Sequence, residues 1–505
     1  MKRRDLVIAG AIALVAIASR IPFATHELWA WDSVLYARAL EHGFHVDFEL
    51  GDMRPQPPGY ILYLAFAALF RPFAADSNGA LVLVSILAGG LGAAAVFALA
   101  RRFDGIGAAL LAALGYAFNP LVWAYGEVAY PYALLGFLSV ALAASFWIAR
   151  EAGPSGGISG RGRWALASFA FGLLSGFRQD LGLLLGALWL WMIWSRPWRQ
   201  RLAGAALVGA GILIWLVPTA LLSEGIGTYL EALSRQSESV RATYSVQAQG
   251  AAAFSYNLRF TIYALAWGLL GFGVLLVGLV LAPILAWLRA GRPAMRPRAE
   301  HTFFLFWLVP GLFFYVYVHI GEWGYVLSVL PGLYVLVAVL GYRLVLQLRG
   351  QARTGWRVVV AALVLVPALL FLATPLRFSR VALADHDRAI VDRVAYVRAH
   401  FDPRSTIVLA REDFLQVRYY LPEYRAWLYD PEPYANAAVM QKRATRATAI
   451  VIFTDGLVPR QGLDVRYVEV SPGIQLAYVQ IEPGAVLQFY GDRYTVREPQ
   501  SGAAR

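Results

Sequence analysis

The chain has 505 residues, of which 59% are hydrophobic, only 15% are charged and none is cysteine, and its mean hydropathy is +0.55. Soluble domains carry about 25% charged residues, so an ordinary soluble protein is excluded, and the lack of cysteine excludes disulfides and thiolate metal sites. A net charge of +12 would suggest nucleic acid in a soluble chain; here the basic clusters lie in short loops between apolar spans, as the positive-inside bias requires, and no nucleic-acid partner is expected.

Met1-Lys2-Arg3-Arg4 precedes an apolar run over 6–18. It reads as an uncleaved first helix, the alternative being a signal cut after Ala16-Ile17-Ala18. A membrane helix needs about 20 mostly apolar residues. Candidate spans are 5–23, 79–100, 105–124, 130–149, 164–177, 181–195, 201–222, 257–288, 301–318, 324–346 and 356–374. These eleven put the start inside and the end outside. Arg101-Arg102, Arg150 with Arg161 and Arg163, Arg196 with Arg199 and Arg201, and the basic runs 289–298 and 349–357 then fall inside. Glu127, Asp180, Glu224, Glu231, Glu238 and Glu322 fall outside. Expected is an α-helical polytopic membrane domain over 1–375 with a first outside loop at 24–78 and a long one at 223–256.

Some segments depart from simple spans. The apolar stretch 59–73 is too short to cross and reads as a helix lying in or dipping into the outer leaflet. The spans 164–177 and 181–195 are also short and meet at Phe177-Arg178-Gln179-Asp180, which implies a charged turn below the membrane surface in a water-filled cavity. The Gly-rich loop 150–163 lacks the strand and helix that flank a phosphate loop, so it reads as a linker. Loop 223–256 is polar and carries Tyr229, Arg235, Arg241 and Tyr244; a lid over a ligand and a mobile surface loop are both open. Beyond 375 the composition changes: 385–401 has helical spacing, 406–410 and 449–453 read as buried strands, and 475–481 alternates. Residues 376–505 are therefore expected to form a soluble extracytoplasmic α/β domain.

The first outside loop contains Trp31-Asp32-Ser33-Val34-Leu35-Tyr36-Ala37-Arg38 and then Gln56-Pro57-Pro58-Gly59-Tyr60. This order resembles the GT-C glycosyltransferases that use polyprenyl-phosphate sugars, a group that includes protein O-mannosyltransferases, lipid A aminoarabinose transferases and lipopolysaccharide galacturonosyltransferase-like proteins. In those an Asp-Glu pair precedes a Tyr-Ala and then a His-Pro-Pro or Lys-Pro element. Asn119-Pro120 with Glu127, the turn 176–180, and Tyr325 with Pro331 resemble further segments of the family, as does Tyr419-Tyr420-Leu421-Pro422 near the end. Ser33 and Gln56 depart from the pattern, and both weaken the case for a metal. The resemblance implies transfer of a sugar from a lipid phosphate to an envelope glycan, lipid or protein on the extracytoplasmic side of a bacterial inner membrane.

Such a donor already has a good leaving group. The protein must supply a base for the acceptor hydroxyl, contacts for the departing phosphate, and exclusion of water. Asp32 suits the base, since partial burial beside Trp29 and Trp31 would raise its pKa toward the working pH; capping a juxtamembrane helix is the other reading. Arg178 is the first candidate for donor phosphate, with Asp180 holding it in place, although the two could simply close their turn. Arg54 and Arg259 could also meet phosphate, or snorkel to lipid headgroups. Tyr36, Gln56, Tyr60, Glu127, Asp180, His319, Glu322 and Tyr325 are candidate substrate contacts. Glu127 could instead pair with an arginine, and His319 with Glu322 could be an ordinary interfacial pair. His42 and His45 could share a metal, but Gly43 between them suits a solvated loop; no cofactor is expected, with a divalent metal left open. A transporter or flippase of lipid-linked sugars, or a non-catalytic scaffold, remains the alternative. Alternating access would place functional polar residues on both halves of the membrane core, whereas these gather on one side.

Overall fold

The computed structural model describes residues 2–49, 51–152, 158–290, 299–345, 351–428, 440–444, 446–453, 458–459, 464–490 and 493–497. The chain forms two compact units, one of Met1–Thr25 with Tyr36–Leu383 and one of His26–Leu35 with Ala384–Arg505.

The first unit is helical. In chain order its elements are α1 (Arg3–Arg20), α2 (Trp31–His42, begun in the second unit), α3 (Ile61–Phe70), α4 (Ser77–Phe103), α5 (Ile106–Ala117), α6 (Pro120–Tyr125), α7 (Tyr132–Glu151) and α8 (Ile158–Leu174). They continue as α9 (Asp180–Trp194), α10 (Trp198–Leu222), α11 (Ile226–Tyr244), α12 (Val246–Leu269), α13 (Gly271–Ala290), α14 (Ala299–Tyr317), α15 (Leu330–Val345) and α16 (Gln351–Ala373). Among the described residues five helices are long and apolar enough to cross a membrane: α1 with its extension to Phe23, α4, α7, α10 and α14. Shorter apolar helices complete the unit of a multi-pass integral membrane protein.

Local chemistry sets the helix ends. Asp76 caps α4, its Oδ1 accepting from Gly79 N at 2.7 Å. Asn119 caps α6, and Pro120 supplies a first residue that needs no N–H partner. The expected single span over 257–288 is instead two helices, bent by 110° at Leu270, whose φ of 45° lies in the left-handed region. A break exposes carbonyls that lipid cannot satisfy. Asn119 Nδ2 donates to Trp267 O at 2.9 Å and the Tyr334 hydroxyl to Gly268 O at 2.9 Å, so both are paired inside the protein. The polar loop 223–256 likewise folds as helix, in α11 and the start of α12. Ion pairs gather where basic loops were expected: Arg101 with Asp5, Arg102 with Glu151, and Arg343 with both Asp104 and Glu300.

The α8–α10 crossing is close. A Cβ on Gly172 would stand 2.0 Å from Val208 O, and one on Gly211 would stand 2.5 Å from Leu173 N. Small residues permit such backbone approach between membrane helices.

In the second unit, α17 (Arg380–His400, begun in the first unit) precedes β1 (Thr406–Ala410), α18 (Phe414–Tyr420), β2 (Arg425–Leu428), β3 (Met440–Arg443), β4 (Ala449–Ile452), β5 (Val458–Pro459), β6 (Val465–Ser471), β7 (Ile474–Gln480), β8 (Val486–Tyr490) and β9 (Arg493–Arg497). One sheet has the order β2-β1-β4-β7-β6, with β2, β1 and β4 parallel and β7 and β6 antiparallel; β3, β8, β9 and β5 form a smaller sheet. Strands β1 and β4 are buried along their whole length, which explains their unbroken apolar sequences. Ile407 and Leu409 pack on one side with Ile450 and Ile452. Val408 and Ala410 pack on the other with Ile390, Val394 and Val397 of α17 and Val417 of α18.

Gly172→Leu is expected to overpack the α8–α10 crossing by about 1–3 kcal/mol or more, read as a lower melting temperature in detergent. Gly209→Ala, on α10 with nothing within 4 Å of its added Cβ, should leave that temperature unchanged or raise it.

Candidate active site

Residues 175–179 form the turn between α8 and α9. Gly176 fits there because a Cβ would lie 2.4 Å from the Trp215 ring. Its carbonyl accepts from Leu62 N at 3.2 Å, tying the turn to the first turn of α3. Tyr60, the residue before α3, has φ 49° and ψ 48°, a left-handed conformation that costs a non-glycine residue about 1–2 kcal/mol. Strain of this size persists where surrounding structure enforces it, and here it belongs to a residue facing the turn.

Arg178 lies at the centre, its side chain only 4% exposed. Its Nε donates to both Asp180 oxygens at 3.1 and 3.2 Å, and Nη2 to Oδ2 at 2.9 Å. Three tyrosine rings surround the guanidinium, with centroids at 4.5 Å (Tyr132), 5.1 Å (Tyr60) and 5.4 Å (Tyr325). Burial alone would lower its pKa. Asp180, Tyr60 and Tyr132 more than offset that and raise it, so the group stays cationic. The carboxylate thus holds the guanidinium through Nε and Nη2 while the aromatic faces surround it. The amide of Gln179 beside it has both polar atoms buried without a hydrogen bond. The arrangement thus offers one buried cation, one unsatisfied amide and aromatic walls.

The walls continue outward. Tyr36 meets Tyr60 edge-on at 6.1 Å. Tyr132 meets Tyr125 at 5.4 Å, and the Tyr125 hydroxyl donates to Glu322 Oε2 at 3.2 Å. Tyr325 meets His319 at 5.6 Å, and His319 meets Tyr244 of α11 at 4.7 Å. Burial lowers the His319 pKa to about 4, so the ring is neutral at physiological pH, with Nδ1 buried and unbonded.

Seven residues expected from the sequence therefore form one connected group: Tyr36, Tyr60, Arg178, Asp180, His319, Glu322 and Tyr325. The others are placed differently. Gln56 donates to Phe48 O at 3.3 Å. Arg54 is half-buried and pairs with Asp52 at 3.5 Å, while Arg259 is exposed on α12 and donates to Ser255 O. Glu127 is fully buried. Its backbone carbonyl accepts from Thr25 N and Thr25 Oγ1, whereas neither carboxyl oxygen has a hydrogen bond. Burial raises its pKa well above the usual carboxylate range, and the charge of Arg20 only partly offsets this. Asp32 belongs to the second unit, half-buried in the first turn of α2. His42 contacts Arg38 and His45 contacts Leu222 O, so the two rings do not converge. Among the described residues no group of three or more His, Cys, Asp or Glu side chains could hold a metal ion.

Sequence reasoning passed over Tyr132 and Gln179. Tyr130-Pro131-Tyr132, an aromatic turn capping an apolar span, was the available signal for the first; Gln179 gave none beyond its position beside Arg178.

Asp180→Leu should destabilise the protein by about 3–5 kcal/mol, because it leaves the buried guanidinium uncompensated. Arg178→Met combined with Asp180→Leu should recover a large part of that loss in the same thermal assay. A pH series tests His319. Between its free value of 6.5 and its folded value of about 4, the unfolded chain binds a proton that the folded chain refuses. Its contribution is therefore complete above pH 6.5 and declines toward pH 4, by at most ~1.4 kcal/mol per pH unit. His319→Phe should remove that share of the slope.

No family model matches the chain, and no curated protein sequence matches it. Solved structures do. ArnT from Cupriavidus metallidurans bound to undecaprenyl phosphate aligns with a TM-score of 0.57 at 14% identity, over 95% of this chain and 98% of that one. The Archaeoglobus fulgidus oligosaccharyltransferase tethered with an acceptor peptide gives 0.52 at 13% identity, over 84% and 64% respectively. AglB from the same organism, in complex with an inhibitory peptide and a dolichol-phosphate, gives 0.51 at 11%, over 89% and 69%. This chain has an ArnT-like fold, shared in part with the oligosaccharyltransferase structures; here it is a multi-span helical domain with a C-terminal mixed five-stranded sheet.

Proposed function

We propose that the chain is an inverting glycosyltransferase moving a sugar from a polyprenyl-phosphate donor to an envelope glycan, lipid or protein acceptor. It works on the extracytoplasmic side of a bacterial inner membrane, with the C-terminal domain on that side. The observation that carries the reading is the cationic Arg178, buried among three tyrosine rings beside Asp180 and the unsatisfied Gln179 amide. A buried guanidinium suits a phosphate oxygen, and aromatic walls suit the faces of a sugar ring.

The acceptor oxygen forms a bond to the anomeric carbon as the bond from that carbon to the phosphate oxygen breaks. The electron pair leaves with the lipid phosphate, whose developing charge Arg178 stabilises. The acceptor proton passes to the Asp32 carboxylate. Tyr60, Tyr132 and Tyr325 exclude water, while Gln179, His319 and Glu322 offer hydrogen bonds to sugar hydroxyls and Tyr36 completes the substrate contacts. Arg54 and Arg259 serve phosphates or lipid headgroups at the periphery.

The test uses the full chain in proteoliposomes with undecaprenyl-phosphate sugars and extracts of envelope acceptors. Glycosidic product with release of undecaprenyl phosphate is expected. Asp32→Asn should cut turnover by about 10²–10⁴-fold, and Arg178→Lys should weaken donor use by removing the planar fork. Donor translocated without product would instead identify a transporter.

A further inference from the structure

The residues that lead into Asp32 fold with the C-terminal unit: His26–Leu35 and Ala384–Arg505 form one compact body. One carboxylate holds the start of this segment. Asp387 of α17 accepts from His26 N at 2.6 Å through Oδ2 and from Glu27 N at 3.1 Å through Oδ1. The Tyr420 hydroxyl, at the end of α18, accepts from Leu28 N at 2.8 Å. His386 Nε2 lies 3.3 Å from Leu28 O, in the next peptide group. Trp29 then packs on the His386 ring at 4.5 Å, and Trp31 on Phe414 at 6.1 Å. Three consecutive amides and one carbonyl are thereby tied to side chains of two helices.

Those helices are themselves fixed by one core. Ile390, Val394 and Val397 of α17 and Val417 of α18 pack together on β1 and β4. A carboxylate accepting two adjacent backbone N–H groups is a strong local anchor, and anchors on rigid elements place a dependent group more accurately than loops do. Nothing in a purely structural domain requires such attachment to an irregular segment four residues before Asp32.

We propose that Asp387, Tyr420 and His386 are positioning residues, by which the C-terminal domain sets the place of the Asp32 carboxylate for proton removal. This rests on the reading of Asp32 as the base. It assigns the C-terminal domain a share in the reaction through the placement of that carboxylate.

Two measurements on the full chain in nanodiscs test it. In Asp387→Ala, amide exchange over 24–34 should rise by about tenfold or more while peptides covering β1 and β4 stay protected. Turnover should fall by about 10–100-fold, the size expected of a slightly displaced catalytic group, with the donor KM little changed. Asp387→Asn, which keeps one acceptor oxygen, should recover part of both effects. In the Asp32→Asn background, Asp387→Ala should cost nothing further, because the group it positions is already disabled. Loss of protection with unchanged turnover, or an equal further loss in the double variant, overturns the proposal. If Asp387→Ala also unprotects β1 and β4, Tyr420→Phe, which removes a single oxygen, decides by the same criteria. Normal turnover in Asp32→Asn alone would sink the base reading, while the exchange result would still report on the anchor.

Discussion

Taking a guanidinium out of water costs several kcal/mol, which a protein recovers only with compensating partners in good geometry. Arg178, with a side chain only 4% exposed, meets that demand through Asp180 and three tyrosine rings. Each partner arrives from a different part of the chain: Tyr60 ahead of α3, Tyr132 at the start of α7, Tyr325 ahead of α15. Satisfying one charge therefore fixes the relative placement of several otherwise interchangeable apolar helices. The left-handed backbone of Tyr60 is consistent with this, since a strained residue persists only where its side chain is needed in one place.

The same accounting governs the backbone. Where the helical ladder stops inside the bundle, side chains take over: Asn119 and Tyr334 at the break after Leu269, Trp215 at the carbonyl of Gly172, and Thr25 at the carbonyl of Glu127. Asn119 does this twice, capping α6 with its oxygen and bonding Trp267 O with its nitrogen. A membrane unit can carry irregular backbone only if such donors are built in.

Much of this was legible in the sequence, and the exceptions have physical causes. The two half-length helices and their charged turn followed from apolar length and from Arg178-Gln179-Asp180, and β1 coincides with the apolar run 406–410. The bend at Leu270 left no mark, because hydropathy continues across it and the residue that adopts positive φ is not glycine. Helix α11 reads as loop because it is rich in polar and charged residues. Yet Ile226, Tyr229, Leu230 and Leu233 recur at helical spacing, and the Tyr229 hydroxyl reaches Pro58 O of the Gln56-Pro57-Pro58 element. Least visible was the membership of 26–35 in the C-terminal unit, since nothing in a linear pattern pairs Glu27 with Asp387 across 360 residues.

Ser33 shows how a departure from a family pattern can be absorbed. Its hydroxyl oxygen accepts from Ala30 N at 3.2 Å, reaching back from the first turn of α2 as the third residue of a capping box does. A Glu at this position could make the same bond, so the substitution preserves the helix start while removing one negative charge beside Asp32. With a second carboxylate adjacent, like-charge repulsion would favour protonation of one of the pair, or a cation to hold both. With serine there, the helix start is kept and that repulsion beside Asp32 is absent.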